Sequence, residues 1–435
     1  MRVLFCTALP LLLIASLVCD AAVQAPKPAT ATAPQAQKPA AATTAFREAR
    51  DLISEGEWVR AETALNRFIA NFPQDRDVPA ARYWLAFSLK QQNKFAEADT
   101  VLTRLIQQHP TATGWVNDAR AMRVEIAPRL GNTQLVEQGV TDSDDEIRLA
   151  ALQTLFETRP ERAIAMAAEL LKAGSASSRL LKEGAISLLE DSETSEAIPL
   201  LSQVARSDPD MRVRRKAAEA LGDIEDSSVI EPLKSIALQS TDVAVARAAV
   251  EGLGEQGSFA RKALVEIAQS GASMEVRAEA IEALGDIEGD PAVVDDLVAL
   301  MAAARDARLQ QEVIEALGEV ELSQAETALA EIARTSANPE MRRQAVEGLA
   351  DHETDSAGAS LAALYDAEKD QRVKEEIISA LEETESRAAM LKLGQIAAKE
   401  TSERLRRLAI SALAKFEDPE AAALIEQVLK QGRPQ

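Results

Sequence analysis

Two histidines, His109 and His352, and two cysteines, Cys6 and Cys19, are the whole supply of imidazole and thiol groups in this 435-residue chain. No histidine pair has zinc-ligand spacing, and both cysteines fall within the first 20 residues, so zinc and thiol chemistry lack a set of residues to carry them. Carboxylates abound, with 70 Asp and Glu against 48 Lys and Arg and a net charge of −22. In so acidic a chain a carboxylate pair carries little weight as a general acid and base. Asp142, Asp144 and Asp145 crowd one stretch, but the glycine and distal glutamate of a calcium loop are missing. There is no phosphate-cradling GxxxxGK[ST], no GxSxG, and no GxGxxG behind a strand. The sequence therefore predicts no catalytic residue, no cofactor and no metal site.

One acidic set does recur with a period. Glu219, Glu251, Glu282, Glu315 and Glu347 follow one another at steps of 31 to 33 residues. The elements that must position them repeat with the same step, on leucine anchors at 155, 189, 221, 253, 284, 317, 349, 381 and 413. Such a period marks an array of supersecondary units. Eleven residues before the anchors stand Asp144, Ser178, Asp210, Asp242, Ser273, Asp306, Asn338, Asp370 and Ser402, all residue types whose side chains accept from the free amides at a helix start. Apolar residues eight, four, three and zero places before the anchor, such as Val213, Ala217, Ala218 and Leu221, describe one helical face. The place just before the anchor is mostly Ala or Gly, which lets neighbouring helices approach. Gly222, Gly254, Gly285 and Gly318 follow four anchors and read as helix stops.

The glutamate row lies two places before the anchor, off the apolar face. Stacked helices about 8–10 Å apart would string five such residues into a stripe ~40 Å long, suited to a basic segment of a partner protein. Arg215, Arg247 and Arg343 precede Glu219, Glu251 and Glu347 by four residues and neutralise them in the competing, purely structural reading. Glu282 and Glu315 have no such neighbour. Two further rows flank the anchors: Arg148, Lys182, Arg214, Arg277, Arg342, Lys374 and Arg406 seven places before, and Glu157, Asp191, Asp223, Glu255, Asp286, Glu319, Asp351 and Glu383 two places after. The expectation is a ladder in which the acid of one repeat meets the base of the next.

The signature VRxxAxxALGxIxD, seen in Val213–Asp226 and closely followed in Val276–Glu288, resembles HEAT repeats of the short kind first associated with phycobilisome lyases. The resemblance spans residues 127–431 and implies an all-α superhelix of helical hairpins whose second helices line the inner surface. Ahead of it, Trp58, Ala61, Leu65, Phe68 and Pro73 return 37 residues later as Phe95, Ala98, Leu102, Leu105 and Pro110. Residues 45–126 thus resemble tetratricopeptide repeats, like the modules of bacterial envelope proteins associated with the Tol-Pal system. Ala49 and Leu52, then Ala86 and Leu89, replace the usual Gly and Tyr. Trp58, Trp84 and Trp115 all fall in this module and read as core and hairpin-junction residues.

Residues 3–18, an uncharged run behind Arg2, read as the core of a signal peptide of residues 1–21, cut after Ala21. Acylation of Cys19 and an uncleaved anchor are the alternatives. Residues 22–44 hold four prolines and read as a tether. Residues 45–126 balance 11 basic against 11 acidic side chains, so the acidity belongs to the array. That sign disfavours nucleic acid and the anionic face of a membrane. The reading is a non-enzymatic protein-interaction scaffold, exported to the periplasm or envelope. The alternatives are an assembly factor whose tetratricopeptide-like module does the binding, and an enzyme of the chromophore-lyase kind.

Overall fold

A computed structural model describes residues 40–192 and 194–431; the 1–21 segment, both cysteines and residues 22–39 lie outside them. Among the described residues the chain forms 24 α-helices, three short 3-10 turns and no strand. It divides into two compact units between Gln92 and Asn93, inside the stretch that resembles tetratricopeptide repeats.

The first unit contains the helices Ala40–Ser54, Trp58–Asn71 and Val78–Gln91. Its opening helix thus includes residues 40–44 of the expected tether. Ala49, Ala61, Leu65 and Phe68 are buried, and ring contacts join Phe46 to Phe68 at 5.2 Å and Trp58 and Trp84 to Phe87 at 5.8 and 5.6 Å. Trp58 and Trp84 are half-buried, sitting at the joint between helices. The SEGEW turn reverses through Gly56 at φ +73°, a conformation that costs glycine least.

The second unit opens with Phe95–Gln108, Thr113–Ile126 and Thr133–Val140 and continues as paired helices to Gln431. The helices begin where the cap pattern places them. All nine residues from Asp144 to Ser402 accept a hydrogen bond from a backbone amide in the first turn of their helix, an interaction of about 1 kcal/mol each. Behind the caps, the four positions of the apolar face are buried in every repeat, save a half-buried Ile410. A buried Val, Leu or Ile stabilises by about 1.5–3 kcal/mol relative to an exposed one, so this face is the main cohesion of the array.

Three of the four glycines end their helices as the sequence leads one to expect, and they have a further role. Gly222, Gly254 and Gly285 are the last residues of right-handed helices, and Gly318 lies one residue inside its helix; none has positive φ. Their role is contact. A Cβ on Gly222 would stand 2.5 Å from the Cα of Gly252, one on Gly285 would stand 3.1 Å from the backbone of Ala316, and Gly318 faces Gly348. Second helices of successive repeats thus touch almost backbone to backbone, and their layer is more tightly stacked than that of the first helices.

Between first and second helices runs a three-residue connection that recurs with one backbone shape. Its first residue is extended, with φ and ψ of −65° and 137° at Asp208, −67° and 121° at Ala304, −75° and 139° at Glu368, and −66° and 136° at Glu400. The cap residue follows two places later.

Candidate partner-binding face

The five glutamates of the row lie on successive second helices of the tightly stacked layer. Glu251, Glu282, Glu315 and Glu347 are exposed and Glu219 is half-exposed. Arg215 pairs with Glu219 at 3.1 Å, and Arg343 reaches Glu347 at 3.4 Å while also holding Glu340 and Glu376. The expected Arg247–Glu251 pair does not form, because Arg247 turns to Glu279 of the next repeat at 2.6 Å. Among the described residues, Glu251, Glu282 and Glu315 make no ion pair. Burial, and then the charges of Glu279, Asp286 and Glu312, push the Glu282 carboxyl above its usual range, with Arg247 opposing. The middle of the row is therefore a concentration of negative charge.

The expected ladder is rearranged. The bases seven places before the anchor do not meet the acids two places after it. They reach instead into the three-residue connection of the following repeat. Lys182 binds Asp208 at 2.7 Å, Arg214 binds Asp242 at 3.3 Å, Arg342 binds Glu368 at 2.8 Å and Lys374 binds Glu400 at 3.4 Å. In three of the four pairs the acceptor is the extended first residue of the connection, whereas Arg214 takes the cap residue Asp242. The acids behind the anchors crowd one another instead: burial and then Asp351, Glu376, Glu382 and Glu347 raise the Glu383 carboxyl. Burial likewise raises Asp351. Glu190 is raised first by burial, with Asp223 adding to it and Lys216 opposing.

Sequence reasoning missed a second inter-repeat row, six places before one anchor to five before the next, in Arg247–Glu279 and Arg343–Glu376. Its signal was present as opposite charges at adjacent register positions. The two histidines are half-buried, each with a shielded Nε2. Both cap the C-terminal end of a helix, their backbone amides donating to Leu105 O and Ala350 O. Among the described residues no group of three or more His, Cys, Asp or Glu side chains is arranged to hold a metal ion, and no helix is long and apolar enough to cross a membrane.

Capped helical hairpins stacked through a continuous apolar face define an α-solenoid. The profile of the HEAT repeats matches residues 132–222, 167–242, 230–318 and 294–382, which together exceed half of the chain, and that of the PBS lyase HEAT-like repeat matches 405–431. The chain belongs to the HEAT-repeat family. A tetratricopeptide repeat matches residues 80–112, so the protein combines the two repeat types. No curated protein matches it. Among solved structures, human deoxyhypusine hydroxylase in complex with glycerol is 24% identical, over 61% of this chain and 98% of its own, with a TM-score of 0.26. The complex of CpcE and CpcF of phycocyanin lyase from Nostoc sp. PCC7120 is 22% identical over 57% and 94%, with a TM-score of 0.27. Kap121p bound to Ste12p is 13% identical over 91% of this chain and 52% of its own, with a TM-score of 0.46. These likenesses concern the fold alone.

Proposed function

We propose that this protein is a non-enzymatic protein-binding scaffold of the bacterial cell envelope, and that its HEAT-like array holds a basic segment of a partner along Glu251, Glu282 and Glu315, with Glu219 and Glu347 at the ends of the row. The observation that carries this reading is the run of three exposed glutamates in successive repeats that make no ion pair among the described residues, on the tightly stacked layer. Solvated ion pairs contribute only about 0.2–1 kcal/mol each, so the affinity would come from several repeats acting together and would fall with added salt. The envelope assignment rests on the apolar run at residues 3–18 and the proline-bearing segment behind it.

The test is capture from the native envelope with the wild-type chain and with the triple variant Glu251→Lys, Glu282→Lys, Glu315→Lys. The expected outcome is at least a tenfold loss of a basic partner at an unchanged melting temperature. Undiminished capture by the triple variant sinks the reading. If capture is instead lost on Val59→Glu, a site 65% exposed in the first unit, the binding belongs to the tetratricopeptide-like segment. Sequencing the N-terminus of the native protein tests export, with Ala22 as the expected first residue.

A further inference from the structure

The rearranged ladder has one open place. Two arginines of the row perform two tasks: each donates to a backbone carbonyl in the connection of its own repeat and to a carboxylate in the connection of the next. Arg214 donates to Asp208 O at 2.8 Å and to Asp242; Arg342 donates to Ser336 O at 3.0 Å and to both oxygens of Glu368. Arg277 performs only the first task, its Nε donating to Ala268 O at 2.8 Å. Where Asp208, Glu368 and Glu400 stand in their connections, the connection after Arg277 has Ala304. Among the described residues no carboxylate lies within ion-pair reach of Arg277, and its two terminal nitrogens have no acceptor.

The other departures from the row are of different kinds. Ala246 replaces the base before Gly271, Gln310 donates to Ala304 O at 3.0 Å, Arg148 takes Asp145 of its own helix at 3.4 Å, and Arg406 belongs to the last capped repeat. The connection carboxylate has a further partner in the other repeats: Asp208, Glu368 and Glu400 accept from the amides of Asp210, Asp370 and Ser402 at 2.9, 2.7 and 3.2 Å. The amide of Asp306, in the same position, has no acceptor among the described residues.

At this place the structure holds a cleft of about 410 Å³, lined by Arg277 with Ile281, Leu300, Leu309, Ala268, Ala303, Ala304 and Gln269. Ile281, Leu300 and Leu309 are buried and form an apolar wall; Ala303 and Gln269 stand at the exposed mouth. The volume is within the range of small-molecule sites, about 300–1,000 Å³. A guanidinium with both terminal nitrogens free presents a planar fork that matches a carboxylate.

We propose that this cleft binds a small aliphatic monocarboxylate, whose carboxylate takes the place that Glu368 occupies beneath Arg342, with its hydrocarbon chain against Ile281, Leu300 and Leu309. The strongly acidic array disfavours a dianion such as phosphate there, and the apolar wall favours a chain over a bare anion. The site is independent of the glutamate row, which lies on other residues.

The test titrates hexanoate into the full chain and follows the methyl resonances of Ile281, Leu300 and Leu309. Saturable shifts confined to these methyls are expected, with hexanamide at least tenfold weaker. Arg277→Gln should weaken hexanoate at least tenfold, and Ala304→Glu, which restores the resident carboxylate on a backbone already shaped for it, should abolish binding and raise the melting temperature. Arg342→Gln should leave binding unchanged. Equal binding of hexanamide, binding that survives Ala304→Glu, or displacement of hexanoate by equimolar inorganic phosphate would each overturn the proposal.

Discussion

Two junctions of the array, Arg342 above Glu368 and Arg277 above Ala304, share a backbone and differ by one carboxylate. At the first the guanidinium is gripped on both sides, and its neighbour Lys374–Glu400 continues the pattern. At the second a cleft opens and the guanidinium is free on one side. The caps and the apolar face are the same at both, so cohesion does not depend on the ion pair. Repeats that agree in their packing face can differ in their polar junctions without loss of fold, and the polar junctions are where a ligand can be accommodated.

The sharpest way to break that comparison is at a junction deeper than either. Lys182 and Asp208 are both buried, their side chains 6% and 0% exposed. Asp208→Ala strands an ammonium in the core and should cost about 3–5 kcal/mol in urea unfolding, whereas adding Lys182→Met should restore most of it. A single-variant loss below about 1 kcal/mol would mean that the junctions are all as dispensable as the one at Ala304.

Acid should separate the paired junctions from the open one. Burial alone would raise the Glu400 carboxyl, but the Tyr365 hydroxyl, the Ser402 amide, Lys374 and the Thr401 amide outweigh it and bring it down to about 2. A carboxylate held below its unfolded value stabilises fully above the ordinary glutamate range, and that contribution is lost as the pH falls toward 2. Glu400→Gln should therefore cost about 2–3 kcal/mol at pH 7 and almost nothing near pH 2, read from unfolding curves at the two values. A cost independent of pH would assign the role of Glu400 to shape instead of charge.

The smallest effect belongs to the open junction itself. Arg342→Ala leaves the half-shielded Glu368 without its partner and should cost about 1–3 kcal/mol, while Arg277→Ala removes one hydrogen bond to a carbonyl and should stay within about 1 kcal/mol. Thermal unfolding of the two variants side by side checks the ratio, and equal losses would remove the distinction between the junctions.

The helices and their caps were legible because each rests on local chemistry repeated nine times: Asp210 bonds an amide two residues away, and Val213, Ala217, Ala218 and Leu221 share a face by helical geometry alone. The ladder is not legible in the sequence because its acceptors stand in the connection, mostly on the extended residue, a property of backbone shape that charge spacing does not carry. Arg247 choosing Glu279 over Glu251 is of the same kind, since the closer acid in sequence lost to one on a neighbouring helix. Gly222 is legible as a helix end, but its close approach to Gly252, and that of Gly318 to Gly348, is not, because it depends on the neighbouring helix. The cleft at Arg277 was invisible from sequence because what marks it is a missing acid at Ala304, legible only once the connections are known to be equivalent.

The contacts Gly222–Gly252, Gly285–Ala316 and Gly318–Gly348 also have a mechanical meaning. Backbones in van der Waals contact cannot be compressed further, while the first-helix layer retains side-chain bulk that can shear and repack. When the array bends, its neutral axis therefore runs along the second helices, and length changes fall on the opposite layer. Glu251, Glu282 and Glu315 ride on that axis, so their spacing holds like a ruler of fixed graduation however the rest of the solenoid flexes.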